Sequence, residues 1–580
     1  MENGQLTILN LFNGDKHFVI PKYQRTYAWE EKQLKDFLDD IENQKVNRDY
    51  FIGTLLFQNR GVENGFERIE IVDGQQRLIT ITIFMKVVLK FLSEKESMEK
   101  YGRDIRKYVK DDDIYKLELT EMDNDFFKTY IMEDNRIEDK FLKTPSQRRL
   151  LFAKKYFEEF VQQSNIDALK VFKDKIERTK LLVYTVNDTA EATLIFETTN
   201  DRGKSLTNLE KMKSFLMYKA YLTKDKPHEL LMSIHDRFSD IYRTLEEINS
   251  KVEEDSILQY HFIAHLKWSY SRTTKDYQKD VEKTKNKINK LMKSGNPEKV
   301  ADFIDKYSRE LKETFNVINF ILKDNQKTIK DLFILGRMSL FYPLMIKCYK
   351  LDKTENKSDF YEIIRLLEIF SFRVYALGRK PAKTGETWLY SAAKDFDGDF
   401  TELKSKLKGK IIEYVWDSFF ESLIKSSSLY QSMMSKDLRY LFWKYENFLR
   451  TDEQPKASEM SSSEFLNQDP KFKLTIEHIA CQNPKVTNPE LKLPEFNQNF
   501  IDNYLNSIGN LTFDPNSANA SKGNGDIEAK NSRYFKKAPF KTQNELENFI
   551  KDDRWTDTSI TERADKIIEF AKNYWNPDIV

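Results

Sequence analysis

The hydrophobic positions of the first hundred residues follow two different periods. Short apolar runs rich in β-branched and aromatic residues predict strands at 17–21, 50–58 and 67–74, and the third run stops at an Asp-Gly pair that is typical of turns. Apolar residues spaced three and four apart predict an amphipathic helix over 30–44. Residues 78–92 alternate Ile and Thr as a strand would, but the length of this run favours a buried helix, which we predict.

The pattern changes three more times along the chain. After a charged, mostly helical stretch, a strand is predicted at 181–187, followed at 192–222 by a helix, a loop containing Asn and Gly, and a second helix. Long amphipathic helices with few Gly or Pro dominate from about 225 to 450. The polar, Ser-rich residues that follow are typical of a linker, and the last segment is Asn-rich and aromatic. We therefore predict a helix-dominant chain with an α+β amino-terminal domain, a mostly α-helical middle and a small carboxy-terminal domain. The predicted divisions are 1–220, 221–450, a linker at 451–464, and 465–580.

Composition limits the class of protein. A length of 580 residues predicts more than one core, and 40% apolar with 13% aromatic residues exclude a disordered chain. A net charge of +1 argues against a basic protein that coats nucleic acid, although it leaves room for a local basic surface. Two cysteines exclude a disulfide framework and thiolate zinc sites. We see no secretory signal and no apolar run of about 18 residues, so a cytoplasmic location without membrane contact is expected.

The most informative carboxy-terminal segment is KLTIEHIACQNP at 473–484, where a strand pattern ends on Glu477 and His478. Of six histidines, His478 is the one beside an acidic residue at the end of a strand with Asn and Lys downstream. Phosphodiester hydrolysis needs a base to activate water, a cation at the phosphate and positive charge on the backbone. His478 can serve as the base, while Glu477 and the amide of Asn519 can bind Mg²⁺ or Mn²⁺.

Basic residues follow this segment. From Lys530 to Lys541 there are five basic residues and no acidic one. We predict phosphate contacts at Lys522, Lys530 and Arg533. Asn510 is placed with the catalytic set as the residue that fixes loop geometry. A Glu-His pair on its own is more typical of a strand histidine that simply packs, so the prediction depends on the downstream residues.

At the amino terminus, the sequence VDGQQR lies between a predicted strand and a predicted helix. Backbone N–H groups and the helix dipole can receive a phosphate at such a position, and an arginine can bind it through two hydrogen bonds. The predicted nucleotide-binding residues here are Asp73, Gly74, Gln75, Gln76 and Arg77. The alternative is a tight turn in which Asp73 caps the helix.

A second amino-terminal segment, IPKYQRTYAW, combines hydrogen-bond donors, a guanidinium and aromatic faces. Such a set suits a nucleotide base or an unstacked nucleic-acid base. The predicted DNA- or nucleotide-sensing residues are Tyr23, Gln24, Arg25, Tyr27 and Trp29. A P-loop is excluded at Gly203-Lys204-Ser205, because Thr198 stands where the first glycine is required.

The carboxy-terminal motifs resemble the ββα-metal fold of HNH or His-Me finger nucleases. The segments IEHI, IGNLTF, Asn519 and the later Lys530 and Tyr534 are similar to the nuclease domain of GmrSD-type, modification-dependent (type IV) restriction endonucleases. This resemblance implies that His478 is the general base, Glu477 the acidic metal ligand and Asn519 the amide ligand. The chain departs from the family at Cys481, where members usually have proline.

The amino-terminal motifs resemble the partner domain of the same family, whose core is similar to the ParB/sulfiredoxin fold. IPKYQRTYAW, DGQQR and FETTNDRGKSLTNLEKMK at 196–213 occur in the family's order. The resemblance implies that Asn200, Arg202, Gly203 and Lys204 complete the nucleotide site. It also implies binding and hydrolysis of GTP or ATP, which regulates DNA cleavage.

Our working hypothesis is an NTP-regulated, modification-dependent DNA endonuclease or nickase in anti-phage defence. Its expected partners are modified phage DNA and a nucleoside triphosphate, and a homo-oligomer is left open. The alternatives are a nucleotide-gated DNA-binding effector with a silent nuclease domain, and an RNase.

Overall fold

The computed structural model describes most of the chain in two compact units. The described residues are 4–43, 51–186, 207–223, 228–265, 277–293, 296–453, 459–482, 497–518, 530–531, 535–551 and 554–580. The first unit contains the described residues up to Leu322, and the second contains those from Lys323 to Val580. The domain boundaries predicted from the sequence stay predictions.

A six-stranded mixed sheet forms the centre of the first unit. Its order is β1-β8-β3-β4-β2-β7, and two very short strands, β5 and β6, pair separately. The pairs β1–β8 and β3–β4 are antiparallel, whereas β2 is parallel to both β4 and β7, and β3 is parallel to β8. The strands are β1 (Gly4–Thr7), β2 (Lys16–Val19), β3 (Phe51–Glu63), β4 (Phe66–Asp73), β5 (Lys110–Asp111), β6 (Ile114–Tyr115), β7 (Leu117–Glu118) and β8 (Lys180–Val186).

Long helices cover this sheet and continue beyond it. The helices of eight or more residues are α1 (Glu31–Glu42), α2 (Gln75–Lys95), α3 (Met98–Tyr108), α4 (Pro145–Gln163), α5 (Ile166–Arg178), α6 (Asn208–Tyr221), α7 (His228–Ile248), α8 (Glu254–His265), α9 (Tyr277–Lys293) and α10 (Pro297–Lys323). The strands predicted near residues 17, 67 and 181 and the helix predicted at 30–44 are confirmed.

Helix α2 resolves the ambiguity of the Ile/Thr alternation. It is buried on nearly all sides, and the hydroxyls of Thr80 and Thr82 donate to the carbonyls of Gln76 and Leu78 at 2.8 and 2.9 Å. Threonine can therefore line a buried helix without an unpaired hydroxyl. On the same helix Phe84 lies in an aromatic cluster of the core, 5.2 Å from the ring centre of Phe157.

The second unit is mostly helical. Its longer helices are α11 (Lys327–Leu335), α12 (Met338–Leu351), α13 (Ser358–Phe370), α14 (Glu386–Asp395), α15 (Phe400–Tyr414), α16 (Asp417–Ile424), α17 (Ser435–Glu453) and α18 (Asp557–Tyr574). Helix α13 continues directly into a π-helix, Ser371–Leu377. No helix within the described residues is both long and apolar enough to cross a membrane.

A two-stranded antiparallel sheet lies in the carboxy-terminal part of this unit. It pairs β9 (Leu474–His478) with β10 (Leu511–Pro515). Helix α17 runs to Glu453, and a short helix, Ser462–Phe465, precedes β9, so the described part of the predicted linker is partly helical. The strand that the sequence pattern predicts to end on Glu477 and His478 is confirmed.

Candidate functional site

The antiparallel pairing of β9 with β10 positions the strand that carries Glu477 and His478. Leu511 lies opposite His478, and Thr512 lies opposite Glu477. Just beyond the paired strands, the amide of Ile479 donates to the carbonyl of Asn510 at 2.9 Å. The pairing of β9 with β10 therefore holds the Glu-His pair through backbone hydrogen bonds, to which the side chains described below add.

Asn510 holds the loop that follows His478. Its side chain is fully buried, and its Oδ1 accepts from the Ala480 amide at 2.8 Å and from the Trp555 indole at 3.0 Å. Its Nδ2 donates to the carbonyls of Ala480 and Leu505 at 3.2 and 2.8 Å. Since all these contacts are with protein, the structure places Asn510 where it determines loop geometry, as the sequence analysis inferred.

Helix α18 packs against the segment Ile508–Asn510, which leads into β10. Arg563 is fully buried, and its Nη1 donates to the carbonyls of Gly509 and Leu511 at 2.9 and 2.6 Å while its Nε donates to Glu545 Oε1 at 3.0 Å. Gly509 allows close approach, because a Cβ atom there would lie 2.0 Å from the carbonyl oxygen of Ile560. The sequence analysis missed Arg563, since nothing in its local pattern distinguishes it from a surface arginine.

His478 is buried, and its surroundings keep it neutral. Its Nε2 lies 3.3 Å from Asn506 Oδ1 and 3.5 Å from Gln482 Nε2, and the ring of Tyr430 packs edge-on at 4.4 Å. Burial lowers the pKa of His478 to about 4; the Asn506 hydrogen bond opposes this shift, and the charge of Lys530 adds to it. The imidazole is therefore neutral near pH 7, which is the state that a general base requires.

Glu477 forms a buried ion pair with Lys530. The Lys530 ammonium donates to Glu477 Oε1 at 2.8 Å and to the carbonyls of His478 and Ile479 at 3.0 and 3.3 Å. Both side chains are almost completely buried. Lys530 is thus a buried residue that binds the strand carrying Glu477 and His478. The sequence analysis had instead predicted that Lys530 contacts phosphate.

The described residues do not make a complete metal shell. Within them, no group of three or more His, Cys, Asp or Glu side chains is placed to hold an ion, and the one carboxylate beside His478, that of Glu477, is neutralised by Lys530. Asn519, the predicted second ligand, lies outside the described residues, as do the predicted phosphate contacts Lys522 and Arg533.

The predicted nucleotide motif forms the junction between β4 and α2. Gly74 adopts the left-handed conformation with φ of +91° and is the N-cap of α2, so no side chain caps this helix. A Cβ atom at Gly74 would lie 2.0 Å from Leu55 Cδ2. The alternative in which Asp73 caps the helix is therefore not the one observed. The first N–H groups of such a helix lack intrahelical acceptors and form an anion site.

The two glutamines of the motif tie it to the YQR segment. Gln75 Nε2 donates to the carbonyl of Arg25 at 3.2 Å, and Gln76 Nε2 donates to the carbonyl of Thr26 at 3.0 Å. In return, Gln24 Nε2 donates to the carbonyl of Val72 at 2.6 Å. The motifs predicted separately thus form one cluster, although much of their hydrogen-bonding capacity is used within it. The Oε1 atom of Gln75 is buried and has no hydrogen-bond partner among the residues that the structure describes.

Arg77 bridges α2 and β3. Its guanidinium donates to the carbonyls of Ile52 and Thr54 at 3.0 and 2.7 Å and lies 3.9 Å from the carboxylate of Asp73. Burial raises the pKa of Asp73, and the Arg77 charge opposes that shift. Gly53, with φ of +117°, leaves room for the guanidinium, because a Cβ atom there would lie 2.0 Å from Arg77 Nη1.

The remaining sensing residues divide between this cluster and the core. Arg25 forms an ion pair with Glu210 of α6 at 2.9 Å. Tyr27 is buried, with its hydroxyl 2.9 Å from Thr80 Oγ1, and Trp29 packs at 6.4 Å from the ring of Phe37. The structure thus gives Tyr27 and Trp29 core contacts. Asn200, Arg202, Gly203 and Lys204 lie outside the described residues.

Lys213 and His235 of the later helices contact Tyr23, and Glu210 pairs with the neighbouring Arg25; the sequence analysis assigned none of these residues a role. Lys213 donates to the carbonyl of Tyr23 at 2.5 Å, and burial lowers the pKa of its ammonium to about 7. The buried ring of His235 lies 3.9 Å from that of Tyr23. Glu210 and Lys213 are the last two motif positions of FExxNxRGxxLxxxExxK, which was the available signal. His235 is in no motif.

Two protein-family models match this chain, one in its amino-terminal part and one in its carboxy-terminal part. Residues 8–217 match the family model described as "GmrSD restriction endonuclease, N-terminal domain". Residues 416–570 match the one described as "GmrSD restriction endonucleases, C-terminal domain". No curated protein matches the chain. The two family matches together cover more than half of the 580 residues, and the chain belongs to the GmrSD restriction endonuclease family.

Proposed function

We propose that this chain is a DNA endonuclease whose general base is His478. The family supports a restriction endonuclease that acts on DNA. The observation that carries the residue assignment is a neutral, buried imidazole on a strand whose following loop is locked by Asn510. We also propose an HNH-type ββα fold for this region and a ParB/sulfiredoxin-like core for the amino-terminal sheet, on the motifs given above.

In the proposed reaction, His478 takes a proton from water as the water oxygen attacks the phosphorus; the bond from phosphorus to the leaving sugar oxygen breaks, and that oxygen takes a proton from solvent. Of the two neighbours of Nε2, the Asn506 oxygen is the closer, which favours an Nε2–H that donates to it. The lone pair on Nδ1 is then the acceptor for the proton of water. Asn506 also stabilises the imidazolium that forms, since a carbonyl oxygen favours the charged ring. Asn510 acts only through the loop and is a positioning residue.

Plasmid cleavage tests this assignment. His478→Ala should abolish nicking and double-strand cutting while the protein stays folded and binds DNA; the side chain makes few hydrogen bonds, although loss of its buried ring should lower the melting temperature. The matched control is His17→Ala, in the first unit. A His478→Ala protein that cuts at the wild-type rate would overturn the assignment. The ratio of nicked to linear product from the wild-type protein distinguishes a nickase from an endonuclease.

We further propose that a divalent cation, Mg²⁺ or Mn²⁺, assists cleavage, and no step above is routed through it. The described residues alone do not fit such an ion, since Glu477 is paired with Lys530. The proposal therefore rests on the resemblance, with Asn519 as an expected ligand. A chelator should abolish cleavage and either cation should restore it, whereas cleavage that continues in chelator would contradict the proposal.

The proposed nucleotide site lies at the uncapped start of α2. The support is the left-handed Gly74, the buried Gln75 Oε1 without a partner and the nearby Arg77. We propose that GTP or ATP binds here, with Asn200, Arg202 and Lys204 completing the site, and that its hydrolysis regulates cleavage. Gly74→Ala should abolish NTP turnover, because the added methyl occupies the space of Leu55 and strains a left-handed backbone. Gly102→Ala, where nothing lies within 4 Å of the added carbon, is the control.

We propose that the YQR cluster senses modified DNA, as a cytoplasmic type IV system in anti-phage defence would. Its support is that Tyr23, Gln24 and Arg25 lie against the DGQQR junction, so that a ligand at one site can affect the other. Plasmids carrying glucosylated, hydroxymethylated, phosphorothioated or plain DNA test this. One modified plasmid should be cut and should raise NTP turnover, and equal cutting of all four would exclude modification dependence.

One observation favours a second candidate, a nucleotide-gated DNA-binding effector with a silent nuclease. The carboxylate expected to bind metal is held by Lys530 instead. Tight DNA binding without nicking of any plasmid, with or without NTP, would favour this candidate. Parallel assays on RNA distinguish an RNase.

A further inference from the structure

The second unit carries an exposed tryptophan stacked on a second aromatic ring. Among the tryptophans that the structure describes, Trp416 alone is exposed, with 52% of its surface accessible. Its ring lies 4.9 Å from that of Phe419, with the planes 29° apart. Exposed tryptophan is uncommon, and stacked rings that face solvent are typical of a binding surface.

The loop 378–385 borders this aromatic pair and is basic. It contains Arg379, Lys380 and Lys383 and no acidic residue. The ammonium of Lys380 lies 6.0 Å from the centre of the Phe419 ring. None of the three cations forms an ion pair with a carboxylate in the part of the chain that the structure describes. Their charge is therefore available to a partner from outside.

One buried residue, Arg373, anchors both the loop and the aromatic pair. Its guanidinium donates to the Val415 carbonyl and to Asp417 Oδ1, both at 2.7 Å, on either side of Trp416. Its own carbonyl accepts from the Gly378 amide at 2.9 Å, where the loop begins. The carboxylate adjacent to Trp416 is thus already neutralised, and one residue holds both parts, the loop through its backbone carbonyl and the aromatic segment through its guanidinium.

Further hydrogen bonds hold the loop in one shape. The Lys380 amide donates to the Val374 carbonyl at 3.0 Å, and the Tyr375 hydroxyl donates to the Thr384 carbonyl at 2.6 Å. The loop also follows directly on the π-helical turns at 371–377, and such turns often occur at functional sites. A preorganised set of cations loses little conformational entropy on binding.

We propose that the patch formed by Arg379, Lys380, Lys383, Trp416 and Phe419 binds an unpaired segment of DNA. The cations contact successive phosphates, and an unstacked base lies against the open face of Trp416. Paired bases do not expose their faces, so a regular duplex lacks the second interaction. The proposal rests on the proposed function in taking DNA as the substrate, and it adds a contact surface outside the site of His478.

Fluorescence anisotropy of the full chain with labelled DNA, in chelator to prevent cleavage, tests the proposal. Trp416→Ala should weaken binding of a single-stranded oligothymidine roughly 5- to 150-fold and leave binding of a duplex of equal length unchanged. Trp416→Phe should retain most of the affinity. The matched control is Phe472→Ala, which removes another aromatic side chain that is 58% exposed.

Salt dependence separates the cations from the aromatic ring. The double variant Arg379→Ala/Lys383→Ala should reduce the slope of log affinity against log salt concentration by about 1.4, because each single-strand phosphate contact contributes about 0.7. Trp416→Ala should leave this slope unchanged. Lys406→Ala is the control, since Lys406 is exposed and paired with Glu402 at 2.7 Å.

Three results would overturn the proposal: a loss for Trp416→Ala no larger than that for Phe472→Ala, an equal loss on duplex, or an altered oligomeric state in sedimentation with unchanged DNA affinity. The last result would assign the patch to a second copy of the chain. These results do not bear on the proposed function, because they measure DNA binding without cleavage. The proposed function is contradicted instead by cleavage that does not depend on His478.

Discussion

Lys530 Nζ lies 2.8 Å from Glu477 Oε1, and the two side chains are 1% and 6% exposed. The same ammonium binds two carbonyls of the segment that follows Glu477. One cation therefore holds together the strand that carries the proposed base, the carboxylate beside it and the start of the next loop.

Removing one partner of the Lys530–Glu477 ion pair should lower the stability of the protein. Lys530→Met leaves the Glu477 carboxylate buried without a cation, and the free energy of unfolding should fall by about 3–5 kcal/mol. Urea denaturation measures this change. Lys536→Ala, which removes an exposed lysine paired with Glu547, should change it by less than about 0.5 kcal/mol. The double variant Lys530→Met/Glu477→Gln should recover much of the loss. Equal stability of Lys530→Met and the wild type would contradict a closed pair in solution.

The pH dependence of cleavage should reflect His478. Because burial lowers its pKa to about 4, the ring stays neutral through the usual assay range, and the single-turnover rate should be level above about pH 5 with respect to this group. The rate should fall as the pH drops through 4. A profile that falls with a midpoint near 6.5, the ordinary value for histidine, would show that the ring is exposed in the active protein.

The same shift makes a prediction for stability. The unfolded chain protonates His478 near pH 6.5 and the folded chain only near 4, so the unfolded state binds more protons between these values. The contribution of His478 to stability is therefore fully present above pH 6.5, and it decreases as the pH falls towards 4. His478→Gln should remove this part of the pH dependence, which urea denaturation at a series of pH values measures. Identical profiles for the two proteins would contradict the prediction.

Replacement of Asn510 should destabilise the loop that follows His478. Asn510→Ala leaves the Ala480 and Leu505 backbone groups and the Trp555 indole buried without partners, and stability should fall by at least about 3 kcal/mol. Asn503→Ala is the control, since its amide is exposed and contacts only Asn499. Thermal unfolding of both variants measures the difference. An Asn510→Ala protein as stable as the control would refute the positioning role.

Substitution of glycine by alanine should lower stability at Gly509 and raise it at Gly409. Gly509→Ala places a methyl carbon 2.0 Å from the Ile560 carbonyl oxygen, so the start of α18 must move and stability should fall by more than about 2 kcal/mol. Gly409→Ala, in the exposed middle of α15 with nothing within 4 Å, should raise stability by up to about 1 kcal/mol. Melting temperatures compare them directly. A fall of similar size in both would show that contact with α18 is not the cause.

Local patterns predicted the elements that carry the sites. The strand ending at Glu477 and His478, the strand–turn–helix around Gly74 and the long buried helix α2 are all confirmed. These features depend on residues close in sequence, whose periodicity and turn chemistry are visible without a structure.

The contacts that set the chemistry were not predictable in this way. Lys530 and Glu477 are 53 positions apart, and a lysine in a basic run gives no sign that it is buried. His235 reaches Tyr23 from a helix whose pattern is only amphipathic. Side-chain partners between distant segments are decided by tertiary packing, so the sequence identified candidate groups without showing which of them face each other.

Trp555 donates a hydrogen bond to Asn510, and Arg563 donates one to the carbonyl of Gly509. Both contacts stabilise the segment that holds the strand carrying His478. During translation these two residues leave the ribosome well after His478 does. A nascent chain that has just exposed the proposed base therefore has neither the indole nor the guanidinium that lock its loop. The proposed nuclease should therefore become competent only after α18 has been synthesised and has folded against this loop.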